Sequence, residues 1–382
     1  MTIPCRDKAR GHSCSVFVGT ILAFACSFAV LAAPASAQMI WRNVSFTGGV
    51  SVEGYQGNLA AVTVPLVDST ESAAAAAGEF AGRGQLVFLE GTERGLSLAL
   101  DGGMRQFAAT GFEVRDYAPR EWVGTADLRF RQLLRWGLFQ ASLGTQGRSV
   151  SDRPPIPLYI QPSYGEAHGS IAVRLEPIRS VRFDAEVTGE TADYSSNQFA
   201  PLLNLLDRRS VGGEVGAAWG SAWQVRLFTG VQGTSYERQG TNDPSDPFRT
   251  DRTLRLGAEW ELSRTVLAQF GIEGTFNRSN SKRPEYDAVS LRGVLSVPMF
   301  WELNANLFAV VTGKQYLNKT EFARLVPGEE ADNASVVYLS VLRPVAPNLD
   351  LSVRLGWTRA ETELGDSYFR RYGVGVFLHY RP

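Results

Sequence analysis

Val181-Arg182-Phe183-Asp184-Ala185-Glu186-Val187-Thr188 puts an apolar side chain at every odd position and a polar one at every even position. Val225, Leu227, Thr229 and Val231 interleave in the same way with Gln224, Arg226, Phe228 and Gln232. Successive side chains of a β-strand leave on opposite faces, so each stretch reads as a strand with one oily and one wet face. The rhythm starts near Arg42 and returns, in segments of roughly ten residues, until the last residues of the chain.

Beyond the first residues no stretch approaches the ~20 consecutive apolar residues of a membrane helix, and the mean hydropathy is −0.11. Alternation offers another route into a bilayer. Only every second residue need be apolar, and closing the sheet pairs every backbone group. The clearest lipid-facing sets are Val44, Phe46, Val50 and Val52; Leu96, Leu98 and Leu100; Ile171, Val173 and Leu175; and Tyr372, Val374, Val376, Leu378 and Tyr380. Connections alternate between short turns and longer segments rich in Gly, Pro, Asn, Asp and Ser. The pattern predicts an all-β fold, a transmembrane antiparallel up-and-down barrel of about sixteen strands, with short periplasmic turns and long external loops. On this reading the first loop runs from Gln56 to Gly78, with one or two helical turns at Ala73–Ala77. Ala334 to Leu342, apolar on both faces, is the fourteenth strand.

The N-terminus sets the compartment. Arg6, Lys8 and Arg10 precede an apolar run from Val16 to Ala33, then Pro34 and the small-x-small triplet Ala35-Ser36-Ala37. This is the form of a secretory signal peptide cleaved after Ala37, which assigns 1–37 to the leader and 38–382 to the barrel. All three cysteines lie in that leader, so a disulfide framework and a thiolate metal site are excluded from the rest. A net charge of −1 excludes a strongly basic nucleic-acid binder. Trp41, Trp136, Trp219, Trp223, Trp260 and Trp301 fall at the short-turn ends, and Trp122 and Trp357 near the opposite rim. That is the placement of an aromatic girdle at headgroup level.

Gly375, Leu378 and Tyr380 on the last strand resemble the C-terminal assembly signal of Gram-negative outer-membrane β-barrels of the porin-like kind, although this chain continues through Arg381-Pro382. The resemblance implies an outer-membrane location, insertion by the barrel-assembly machinery and contact with outer-membrane lipid and lipopolysaccharide.

The wet faces carry the acids Asp101, Asp127, Glu166, Asp184, Glu186, Glu214, Glu259, Glu273, Glu302 and Asp350. They also carry the bases Arg83, Arg105, Arg129, Arg131, Arg174, Arg182, Arg226, Arg255, Arg292, Lys314 and Arg354. A ring of one sign would favour one ion, whereas a nearly balanced wall predicts weak selectivity. A barrel of this size leaves an aqueous channel unless a loop fills it. Pro154, Pro155, Pro157 and Pro162 stiffen the third external loop. Phe199, Pro201, Leu202, Leu203, Leu205 and Leu206 make the fourth oily, to pack into the barrel mouth or against lipopolysaccharide or a neighbour. The expected function is passive diffusion of small polar solutes, with polysaccharide export or a non-conducting structural or adhesive barrel as alternatives.

Enzymatic chemistry finds little to work with. Glu166, His168 and Ser170 share one strand face, but residues two apart on a strand are poorly placed for a nucleophile–base hydrogen bond. His379 falls at the periplasmic rim. The sequence has no metal-ligand cluster, phosphate loop or calcium loop, and no cofactor is expected. A first strand beginning just after the leader argues against a plugged receptor.

Overall fold

The computed structural model describes residues 39–57, 71–110, 115–152, 163–178, 180–195, 203–241, 245–281, 285–317, 335–361 and 368–382. The leader, the prolines of the third loop, and Phe199, Pro201 and Leu202 lie outside the described residues. Among the described residues the strands are β1 Ile40–Gly57, β2 Glu71–Glu90, β3 Arg94–Thr110, β4 Arg120–Leu134, β5 Gly137–Ser151, β6 Tyr164–Ile178, β7 Val181–Tyr194 and β8 Arg208–Gly220. They continue as β9 Trp223–Gly240, β10 Phe248–Ser263, β11 Leu267–Ser279, β12 Tyr286–Pro298, β13 Asn304–Tyr316, β14 Ser335–Ala346, β15 Leu349–Glu361 and β16 Tyr368–Tyr380. Each pairs antiparallel with its sequence neighbours, and β1 pairs with β16 to close the barrel.

Register decides which residues share a face. Leu98 of β3 stands opposite Leu86 and Leu128, and Leu128 stands opposite Leu143. Following such rows around the wall gathers Val50, Phe80, Trp122, Val187, Val215 and Phe270 on one face, all exposed. An apolar face that stays exposed around a closed barrel is the lipid belt. The opposite face is the lumen. Inward aromatics lie over glycines of the next strand: a Cβ at Gly257 would collide with the Phe228 ring, and one at Gly49 with that of Phe377. The glycines there make room for rings that cover the inner wall.

The sorting of connections is as the sequence predicts, with short turns after the even strands and longer segments after the odd ones. Three details differ. Ala73–Ala77 is strand, not helix: β2 starts at Glu71 and pairs with β1 and β3 throughout this run, so the first loop is shorter than Gln56 to Gly78. Ala73, Ala75 and Ala77 pack with Tyr55, Phe107 and Ala109 into an apolar cluster, with Ala75 only 1% exposed. Glu302 lies off the wall, in a single 3-10 turn from Phe300 to Glu302 before β13, where Trp301 and Glu302 both have positive φ. Val266 and Leu303, which alternation puts at the starts of the eleventh and thirteenth strands, precede β11 and β13 instead. The fourth loop's Leu203–Leu206 forms a 3-10 turn against β7 and β9. Leu206 is buried, and the Leu205 carbonyl accepts a hydrogen bond from Gln239 Nε2 at 2.7 Å. This part of the loop folds onto the barrel.

Candidate functional site in the barrel lumen

Twenty of the wall charges singled out from sequence occupy inward register positions, from Arg83 on β2 to Arg354 on β15; Glu302 is the exception. Their arrangement differs along the barrel axis. Toward the long loops, Arg105 on β3 reaches Glu53 on β1, Glu79 on β2 at 3.1 Å and Glu121 on β4 at 3.7 Å. Arg148 on β5 lies 2.9 Å from Glu121, and Arg371 on β16 lies 4.0 Å from Glu53. The Tyr55 hydroxyl donates to Glu53, and Arg371 Nη2 donates to the Tyr338 hydroxyl at 3.2 Å. Glu53 and Glu121 are buried, and the apolar cluster around Tyr55 adjoins them. Three acids and three arginines thus compensate one another's charge along the wall.

Sequence reasoning missed Glu53, Glu79, Glu121, Arg148 and Arg371 as members of the wall. Strict parity from Val52, Phe80 and Trp122 on their strands would have found the three glutamates. A separate buried pair, Arg249 with Asp251, stands on β10, with the guanidinium 4.1 Å from the Tyr236 ring centre.

Midway along the barrel, His168 on β6 is held between two carboxylates. Its Nε2 is 2.9 Å from Asp127 Oδ1, and its Nδ1 is 3.3 Å from Glu166 Oε1. The Asp127–His168 contact crosses directly over Gly144 of β5, where a Cβ would collide with both groups. Ser170 Oγ bonds Ser142 Oγ at 2.9 Å. The Glu166, His168 and Ser170 set is therefore a histidine–carboxylate cluster beside a pair of serines, with the hydroxyl directed at another hydroxyl.

Toward the short turns the wall opens into a cavity of about 760 Å³. Arg226 on β9 is its hub, with Asp184 at 2.6 Å, Glu214 at 2.7 Å and Glu259 at 3.4 Å. Arg255 lies 3.4 Å from Glu214. Arg129, Arg131, Arg174 and Arg182 line the same cavity. The far wall carries Glu273, bonded by Thr275 at 3.3 Å, and Lys314, 4.0 Å and 4.5 Å from the ring centres of Tyr286 and Tyr316. Arg354 stacks 4.7 Å over Phe377. Asp350 pairs with Arg381. His379 ties the closure together, with Nδ1 2.9 Å from Thr47 Oγ1 on β1 and Nε2 2.7 Å from Ser352 Oγ on β15.

No protein-family model and no curated protein matches this chain. Among solved structures, the anion-selective porin from Comamonas acidovorans is 11% identical, with a TM-score of 0.43 over 90% of this chain and 99% of that one. A bacterial polysaccharide outer membrane secretin is 9% identical, with a TM-score of 0.38 over 88% and 98%. OmpF of Salmonella typhi is 10% identical, with a TM-score of 0.40 over 89% and 98%. At these values the likenesses carry no functional argument, and the reading rests on the lumen itself.

Proposed function

We propose that this chain is a passive, water-filled and weakly selective channel for small polar solutes in the outer membrane of a Gram-negative bacterium, without enzymatic activity. The observation that carries the reading is the cavity of about 760 Å³, lined by arginines and carboxylates, inside a barrel whose outer face is an exposed apolar belt. Charges of both signs keep such a lumen hydrated, and their near balance weakens preference for either ion. The chain is exported by its leader, inserted by the barrel-assembly machinery through the last strand, and surrounded by lipid and lipopolysaccharide. Leu378 and Tyr380 are exposed on the outward face of β16, and Gly375 faces inward beneath Phe377, an arrangement compatible with that signal.

Planar-bilayer recording on the purified, refolded protein tests the reading. Stepwise conductance, with cation and anion permeabilities of the same order, is expected. A silent bilayer would favour a structural or adhesive barrel, and a current blocked by added polysaccharide would favour polymer export.

A further inference from the structure

The charges of the lumen balance as a whole but not locally. Six arginines line the short-turn cavity: Arg42, Arg129, Arg131, Arg174, Arg182 and Arg226. Two of them have close acids. Arg42 holds Glu90 at 2.6 Å, and Arg226 holds Asp184 and Glu259. The other four are poorly compensated. Arg182 is 3.9 Å from Asp184, whose Oδ2 already sits 2.6 Å from Arg226. Arg129 is 3.8 Å from Asp127, whose Oδ1 is engaged by His168. Arg131 and Arg174 have no ion pair among the described residues. The Nε atoms of Arg174 and Arg182 are buried without a hydrogen-bond partner. Glu186 is the one acid of the lining not already held by Arg42 or Arg226.

These four arginines stand on β4, β6 and β7, around the Gln140 and Ser142 positions of β5. Adjacent strands are about 4.8 Å apart and Arg174 stands two residues beyond the row of Arg131, so their Cα atoms are about 12 Å apart. Their guanidinium groups are donor forks that match carboxylate and phosphate oxygens. The Ser142 and Ser170 hydroxyls and the Gln140 amide add neutral hydrogen-bonding groups to the same surface.

We propose that Arg129, Arg131, Arg174 and Arg182 form a binding subsite for small multivalent oxyanions, namely di- and tricarboxylates and phosphate-bearing solutes. The subsite deepens the channel reading by naming the class of solute that lingers in the lumen; binding itself does not depend on conduction. Occupancy supplies the negative charge that the protein withholds.

Citrate is the probe, titrated calorimetrically into the full-length refolded protein in detergent at low salt. Saturable binding is expected, weakening as salt is added. R131Q/R174Q should weaken it about tenfold or more, since each lost charge-assisted contact is large on this scale. K314Q removes one lumen charge elsewhere and should leave the affinity unchanged. R174K, which keeps the charge and loses the fork, should fall between wild type and the double variant, and serves if the double variant misfolds. Absence of citrate binding, or equal losses in K314Q and R131Q/R174Q, would overturn the subsite. Planar-bilayer recording separates the two readings. Citrate binding without conductance leaves the subsite and removes the channel, and conductance without citrate binding does the reverse.

Discussion

At the long-loop end of the lumen Arg105 meets three glutamates, whereas at the short-turn end Arg131 and Arg174 meet no acid among the described residues. Both groups of arginines point inward from neighbouring strands of one sheet. The first group is paired, partly dry, and adjoins the apolar cluster of Tyr55, Ala75 and Phe107. The second faces a cavity. A buried charge must be matched inside the protein, and once matched it holds the wall. An exposed, unmatched charge contributes little to the fold and remains open to a solute. One residue type thus holds the wall at Arg105 and, in the proposed subsite, meets solute at Arg131 and Arg174.

The comparison breaks first if the faces have been misassigned. L128R/F130R places two charges against lipid, on the same strand that carries Arg129 and Arg131 inward. Each costs up to ~2–4 kcal/mol near the bilayer midplane. Folded, heat-modifiable protein should disappear from the outer-membrane fraction. If the double variant assembles normally, β4 is out of register by one residue, and the unmatched arginines face lipid rather than solute.

The next test sets the two ends against each other. R105A strands Glu53, Glu79 and Glu121 without their shared cation, a loss of about 3–5 kcal/mol on the scale of broken buried pairs. R131A removes an exposed side chain with no ion pair and should stay within about 0.5 kcal/mol. Thermal unfolding in detergent should therefore show a large drop in Tm for R105A and almost none for R131A. Equal drops would erase the distinction between the two ends.

The smallest effect belongs to the boundary between them. G144A drives a methyl group into the Asp127–His168 contact and should cost about 1 kcal/mol, the value of one hydrogen bond. The His168 ring signals in NMR should move while the rest of the barrel is unchanged. Unmoved His168 signals would show that the contact does not form.

Much of this was legible in the sequence. Alternation at Val181–Thr188 gives the face of β7 residue by residue, and tryptophans beside the short turns give the vertical orientation. Ala73–Ala77 shows where legibility stops. A run of one small residue has no alternation to read, and only its partners, Ser51–Tyr55 on one side and Phe107–Thr110 on the other, make it a strand. Glu302 escaped for another reason. Trp301 and Glu302 adopt positive φ, which nothing in their side chains announces, and parity carried across that turn fails. The lumen's charge count was readable, but its segregation was not. Whether Arg105 finds Glu53, or Arg174 goes without an acid among the described residues, depends on register between strands distant in the sequence and on where the side chains lie along the wall.

The closure of β1 onto β16 has a consequence in time. Thr47 waits for His379, 332 residues further along the chain. Until that strand arrives, one edge of β1 exposes a full row of unpaired backbone groups, the kind of edge that recruits stray strands and seeds aggregation. Contacts so far apart in sequence also form slowly, because the intervening loop must lose its freedom first. The nascent chain therefore stays adhesive from its first strand to its last, and something other than its own sheet must shield that edge until Phe377 and His379 are in place.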